Sequence, residues 1–523
     1  MQNTLNKIGL ILGILMVAGA LMGLSSLDDA LANGKQVEIP VLGDDTLIGT
    51  YYPGNLERGL LLLEGFGSDQ TSLRPIAAEY AGRGYHVLSF DFSGHGRSPG
   101  GLDFDNAATD RMAKQVLAAD TRLQELSGLA SGQIIHLGHS LGARVALQAA
   151  TMTDSPPESL ILLGAQVNLA TNQQAEFFTG TSDTDLEWVQ ALGPDNPKTN
   201  IILFTSQKDD ILTPESAQLL VNQLSGNTSS NYGRELILAP KLLHNYEIYA
   251  KDAIKNQAGY FPSVSYWLLG LAGLFLALIT RIDLTRRSGS PAPEARIEKP
   301  GWFIAGKLLL WVPALIPGAI IASAIFFSPF GTPAFNLYYI GFFGGYGVLL
   351  WFLYLKGRVP GVTGRVILRR NSDAIQQKAY LAGFYFLAVL LAVSLMARSG
   401  WWYTFAFNHR LVWLLVFTLI TALGFRIGYE EIEIIRASQP RKGWLVWLNA
   451  LAGLFPFFLY TAFLASIGSI SGVTGSVQGL VILGLSNATG ILVEKISARP
   501  WLAAMLQAFL LYWLILPQGV LFR

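Results

Sequence analysis

Two textures of hydrophobic pattern divide the chain. Up to about Lys255, short apolar runs alternate with amphipathic stretches, and turn signals recur at roughly ten-residue spacing. From Gly259 onward, apolar runs of bilayer-crossing length are separated by charged loops. In the first part, Gln36–Tyr52 alternates around a Gly43-Asp44-Asp45 turn and predicts a hairpin. Further strands are predicted at Leu60–Leu63, His86–Phe90, Ile134–Leu137, Leu160–Leu163, Ile201–Thr205 and Glu235–Leu238. Helices are predicted between them at Leu73–Gly82, Ala107–Leu129, Ala143–Thr151 and Glu215–Leu224. Strands alternating with helices imply an α/β domain over residues 35–258, with a mostly parallel sheet covered on both faces.

The second part, 259–523, predicts about eight transmembrane helices, near 261–280, 302–327, 337–355, 379–397, 411–425, 444–467, 477–493 and 500–518. A further apolar run, Ile8–Leu24, lies near the N-terminus. It reads as a signal anchor within residues 1–34, or as a signal peptide with Ala30-Leu31-Ala32 as its cleavage site. Either reading puts the α/β domain on the extracytoplasmic side. Lysine and arginine agree with that side. Alternate loops carry Arg281, Arg286, Arg287, Arg296 and Lys299, then Lys356, Arg358, Arg365, Arg369, Arg370 and Lys378. Arg426, Arg436, Arg441 and Lys442 follow, then Lys495 and Arg499. The intervening loops hold only Arg398 and Arg410.

Few polar groups fall within these runs. Asn449 and Asn487 are placed to bridge helices. Lys307 is expected to snorkel. Glu430, Glu431 and Glu433 are expected on a solvated face in or beside a loop. No run is expected to hold the buried ionisable set of an ion path. Pro313, Pro317 and Pro456 are candidate kinks.

Composition narrows the chemistry. A formal net charge of +1 over 523 residues gives no sign of a nucleic-acid partner. With no cysteine there is no disulfide, thiolate metal site or cysteine nucleophile.

Gly138-His139-Ser140-Leu141-Gly142 sits between the Ile134 run and a helical pattern. G-x-S-x-G between a strand and a helix holds a serine on a sharp turn that tolerates only small neighbours. Around it the domain resembles the α/β-hydrolase family over nearly all of 35–258. Gly65-Phe66-Gly67 resembles the family's segment after the third strand, with Glu64 where the family usually has histidine. Asp91–Ser98 matches its D-x-x-G-x-G-x-S turn. Ser140 stands at the nucleophile position, Asp209–Pro214 at the segment carrying the acid, and His244 after the last strand, where the base lies. The resemblance implies an α/β-hydrolase fold and a serine hydrolase.

The residues can also be argued directly. A serine hydroxyl needs a base, and the base needs an acid that fixes its tautomer. The six histidines are His86, His95, His136, His139, His244 and His409. His136 lies in a strand, His139 is expected to point away from a shared site, His95 is in a turn, and His409 is in the apolar half. His244 remains as the base. Asp209 is in better register than Asp210 for the acid, and the backbone N–H groups of Phe66 and Leu141 are the expected oxyanion donors. Asp91 reads as a turn former; Arg144, Arg97 and Lys208 read as solvated or structural. No metal or cofactor is expected.

Between Leu163 and Asn200, Phe177, Phe178, Leu186, Trp188 and Val189 predict a short apolar cap, with an ordinary connecting helix as the alternative. The expected function is membrane-bound ester hydrolysis on a hydrophobic or acyl substrate, a lipid among the candidates, through an acyl-enzyme. The alternatives are an amidase or acyltransferase, or a transport or sensing protein that uses the hydrolase fold for binding.

Overall fold

The computed structural model describes the chain apart from residues 1, 28–30, 42, 44–45, 103–107, 170–182, 227–230, 240–241, 251–262, 282–296, 327–332, 334–336, 356–375, 398–409, 468, 519 and 522–523. Helix α1 (Gln2–Leu27) leads into strands β1 (Lys35–Ile39), β2 (Leu47–Tyr52) and β3 (Gly59–Leu63). Then come α2 (Arg74–Gly82), β4 (His86–Phe90), α3 (Ala108–Ser127), β5 (Ile134–His139), α4 (Leu141–Thr151) and β6 (Ser159–Leu163). A short α5 (Glu187–Gln190), β7 (Asn200–Ser206), α6 (Pro214–Ser225), β8 (Arg234–Ala239) and a 3-10 turn, His244–Tyr249, complete the sheet region.

The strands form one sheet in the order β1-β2-β4-β3-β5-β6-β7-β8. Pairings from β4 to β8 are parallel, and β2 joins β1 and β4 antiparallel, as the hairpin pattern requires. The run Leu60–Leu63 is fully buried because both faces are covered. Leu60 and Leu62 pack toward Ile76, Ala77 and Tyr80 of α2, while Leu61 and Leu63 pack toward Met112, Val116 and Leu147 of α3 and α4.

The rest is helical: α7 (Ser263–Ile279), α8 (Pro300–Phe326), α9 (Leu337–Leu355), α10 (Gln376–Ala397), α11 (Arg410–Ser438), α12 (Trp444–Gly453), α13 (Phe455–Ser466), α14 (Ile470–Ser497) and α15 (Pro500–Ile515). The predicted apolar runs are helical where described, with 444–467 broken into α12 and α13. Five helices, α1, α8, α10, α11 and α14, are long and apolar enough to cross a membrane, and α12 with α13, bent by 53°, is a sixth if counted as one span. Pro456 opens α13 immediately after that bend. Helices α7, α9 and α15 are shorter and apolar. α1 packs closely on α7: a methyl group placed on Gly13 would lie 2.7 Å from the Gly273 carbonyl oxygen.

The apolar pattern misled at α11. The helix does not stop near Phe425 but runs on to Ser438, and Glu430, Glu431 and Glu433 are buried rather than on a solvated face. Lys307 does not snorkel. It is buried, with Nζ 2.6 Å from Glu431 Oε2. The helical half therefore does hold buried ionisable residues. They were missed because each is neutralised by a partner distant in sequence or on the next turn, such as Arg426 with Glu430 at 3.1 Å.

Contacts from the helical half to the sheet region fall on loops at the carboxyl ends of strands. Arg410, the first residue of α11, donates from Nη2 to Gly94 O at 2.8 Å and from Nη1 to Gly96 O. Leu521 N donates to Gly94 O at 3.0 Å, and Leu102 N to Leu521 O at 2.8 Å. Ser469 Oγ, before α14, lies 3.3 Å from Asp210 Oδ2, just beyond β7.

Candidate active site

Ser140 links β5 to α4 with φ 54° and ψ −116°, one of two non-glycine residues at positive φ among the described residues. The flanking glycines make this turn possible. A methyl group on Gly138 would lie 2.5 Å from the Gly142 carbonyl carbon, and one on Gly142 would lie 2.4 Å from the Leu63 and Glu64 carbonyl oxygens. The elbow is pinned by Ser140 N donating to Leu163 O at 2.8 Å. A turn this strained persists only where its surroundings over-determine it.

His244 Nδ1 lies 2.8 Å from Asp209 Oδ2, and both side chains are buried. Asp209 also accepts from the Ile211 and Leu212 N–H groups at 2.8 and 2.9 Å, which fixes its rotamer. Burial alone would raise its pKa, but the His244 imidazole and these N–H donors outweigh that and hold the carboxyl below its ordinary value. His244 Nε2 is buried without a hydrogen-bond partner among the described residues. Ser140 and His244 both border the Leu163–Gly164 segment: Ser140 N donates to Leu163 O, and a methyl group on Gly164 would meet the His244 ring at 2.9 Å. Phe66 follows Gly65, whose own added methyl would lie 3.3 Å from Ser140 Cβ. Leu141 opens α4. The five residues singled out in the sequence thus follow the carboxyl ends of β3 (Phe66), β5 (Ser140, Leu141), β7 (Asp209) and β8 (His244).

Other expectations resolve as structure. Asp91 accepts from the Gln70 and Arg97 N–H groups, each at 2.8 Å, and is a turn former. Glu64 Oε1 accepts from Phe92 N at 2.8 Å, so it bridges the loops after β3 and β4; burial and Asp91 raise its pKa well above the ordinary value. His95 is buried, with its ring edge-on to Phe66 at 6.4 Å. His136 pairs with Asp120 at 2.8 Å. Arg144 bonds Asp183 at 2.7 Å. Phe177 and Phe178 lie outside the described residues, as does His409. Of the cap residues, Leu186, Trp188 and Val189 are described; Val189 belongs to the core shared with α4, with Leu186 and Trp188 packed against it.

His139 corrects one expectation. It does not point away: its Nε2 lies 3.1 Å from His244 O, and the two rings are 5.1 Å apart. Burial and the neighbouring His244 pull its pKa down to about 3, so it is neutral.

Glu247 was missed altogether. It stands one 3-10 turn after His244, is fully buried, and has neither carboxyl oxygen bonded within the described residues. Burial first, and then Asp209, raise its pKa well above the ordinary value. Its three-residue offset from His244 was the available signal. His139, His244 and Glu247 place ligand-capable atoms within 4.8 Å of one another. Two of the three are already engaged, His244 by Asp209 and His139 by the His244 carbonyl.

Comparison with known proteins accords with this architecture. The hydrolase family described as "Serine aminopeptidase, S33" matches residues 55–195. An uncharacterized Mycobacterium tuberculosis protein is 31% identical over 153 residues, which are 28% of this chain and 50% of that one. The chain thus spans about half the length of the curated relatives it matches. Among solved structures, a Pyrococcus furiosus esterase is 20% identical over 41% of this chain and 87% of its own, at a TM-score of 0.34. A thioesterase domain from the curacin biosynthetic pathway is 14% identical over 42% and 97%, at 0.33. Residues 55–195 are thus similar to that hydrolase family, and the sheet around them has the α/β-hydrolase fold.

Proposed function

We propose that the chain is a membrane-bound serine hydrolase that cleaves carboxylic esters of hydrophobic substrates. It would comprise an anchor over 1–34, a hydrolase domain over 35–258 on the extracytoplasmic side, and a membrane domain over 259–523. The observation that carries the reading is the buried Asp209–His244 pair, 2.8 Å apart, beside a serine held at positive φ on a strand-to-helix elbow.

In this reading Ser140 Oγ attacks the ester carbonyl as His244 Nε2 takes its proton. Asp209 holds the opposite ring nitrogen and stabilises the imidazolium. The negative oxygen of the tetrahedral intermediate is received by the Phe66 and Leu141 N–H groups. His244 returns the proton to the departing alcohol. A water then repeats the sequence on the acyl-enzyme, releasing the acid and restoring Ser140.

The hydrophobic substrate class rests on placement. Arg410, Ser469 and Leu521 contact loops at the same carboxyl ends of strands that carry the site, which supports a substrate reaching it along the apolar helices. The same three residues belong to segments that the lysine and arginine pattern puts outside. A fluorophosphonate probe applied to membranes tests the reading: wild type should be labelled and Ser140→Ala should not. Equal labelling of both defeats the nucleophile assignment. Preference for short over long acyl chains in p-nitrophenyl esters defeats the substrate class.

A further inference from the structure

One buried ion pair of the helical half, Lys307 with Glu431, borders a cavity far from Ser140. Glu431 lies 21 residues along α11 from Arg410, a helical rise of about 30 Å away from the hydrolase contact. Tyr346 of α9 donates to Glu431 Oε1 at 3.2 Å, opposite Lys307 on Oε2. Beside this ion pair is a cavity of about 90 Å³ lined by Lys307, Trp311, Tyr346, Tyr429, Asn449 and Gln507. The break between α12 and α13 forms its rim through Gly453 and Leu454. Asn449 is buried on its wall. Its Nδ2 reaches Glu431 at 3.5 Å, and its Oδ1 has no hydrogen-bond partner among the described residues.

Three unfavourable features therefore coincide: a desolvated ion pair, unfilled space and an unpartnered acceptor. Apolar side chains of equal volume would remove the ion pair and the unpartnered acceptor, and slightly larger ones would also fill the space. Ionisable groups in an apolar bundle at a helix break are the usual setting of a ligand site. The occupant's chemistry follows from what the walls offer. Glu431 already neutralises Lys307, so a charged occupant would leave a net charge buried. The group must accept from Lys307 Nζ, which has three donor hydrogens, and donate to Asn449 Oδ1. A hydroxyl does both. Tyr429 and Gln507, bonded to each other at 2.6 Å, offer neutral polar groups on another wall. Trp311 and Tyr346, stacked with centroids 4.0 Å apart, offer an apolar one. The volume holds a few waters or a glycerol-sized group.

We propose that the helical half carries a second binding site, for an uncharged polyol, either free or as the head of a lipid. It does not depend on the hydrolase reading. The test uses the full-length protein in phosphatidylcholine nanodiscs and a photoactivatable 1-O-alkylglycerol, whose ether bond a hydrolase cannot cleave. Crosslinks should fall on peptides of α8, α11 and α12, and Asn449→Leu should lower them roughly tenfold, the loss expected for a hydrogen bond to a buried acceptor. Competition by excess glycerol identifies a free polyol; competition by unlabelled alkylglycerol alone identifies a lipid head. Undiminished crosslinking in Asn449→Leu, or equal competition by stearylamine or stearic acid, overturns the proposal. A single symmetric peak in size-exclusion chromatography reports folding of the variant. If it is lost, Ala450→Leu, which fills the cavity from an apolar position, supplies the same comparison.

Discussion

His244 and Asp209 are 35 residues apart in the chain and 2.8 Å apart in space, and each is all but closed to solvent. The contact joins the loop after β7 to the turn after β8, two neighbouring parallel strands. Its removal should be read in kcat. Asp209→Asn keeps the shape but offers an amide to His244 and favours the wrong tautomer. A fall on the order of 10⁴-fold in kcat is expected, with little change in KM. Stopped assays on a chromogenic ester check this; a loss under tenfold would remove Asp209 from the site.

Glu247 sets a pH dependence of stability. Its pKa is raised on folding, so between the unfolded value and the folded value the native state holds a proton that the unfolded state has released. Stability from this group is complete below the unfolded carboxyl pKa, about 4.3, and declines as pH rises toward the folded value. Glu247→Gln should flatten that decline, leaving the part due to Glu64 and to Asp69, which burial raises in the same sense. Denaturant unfolding at several pH values between about 5 and 8 measures the slope. Asp209 acts oppositely. Its depressed pKa gives stability that is present at neutral pH and is lost as pH falls through its folded value.

Gly142→Ala would place a methyl group 2.4 Å from two backbone carbonyl oxygens on β3 and its following loop. Neither can move without shifting the sheet, so the elbow must. Destabilisation of about 1–3 kcal/mol is expected, together with loss of fluorophosphonate labelling. Wild-type labelling would show that the glycine spacing is incidental.

The strands, the elbow and the Asp209–His244 pair were legible because each rests on a local pattern: buried apolar runs, glycines beside Ser140, a histidine after the last strand. Glu247 and the His139 contact were not, since both depend on how neighbouring strand ends converge. The acidic end of α11 was misread because hydropathy counts charges singly. Glu431 sits inside only because Lys307, 124 residues earlier, sits beside it.

Arg410 ties the two halves through the loop whose His95 packs on Phe66. Arg410→Met leaves the Gly94 and Gly96 carbonyls without this charged donor. A loss of about 2–3 kcal/mol is expected, with a fall in kcat as the Phe66 segment loosens. Thermal unfolding in detergent and ester turnover measure the two effects. Unchanged turnover in a destabilised variant would show the contact to be mechanical support alone.

The Lys307–Glu431 pair makes the sharpest stability prediction, because its two halves should not behave additively. Lys307→Met leaves a carboxylate buried with only Tyr346 and Asn449 as donors and should cost about 3–5 kcal/mol. Glu431→Leu alone strands the ammonium and should cost a similar amount. The double variant removes both charges and fills the space with apolar atoms, so its stability should return close to wild type or exceed it. If unfolding in detergent shows the double variant as weak as the sum of the singles, the pair is not closed off from water as its burial indicates. Recovery of stability would show that the charges are dispensable for folding, which leaves binding in the adjoining cavity as the reason the bundle holds them.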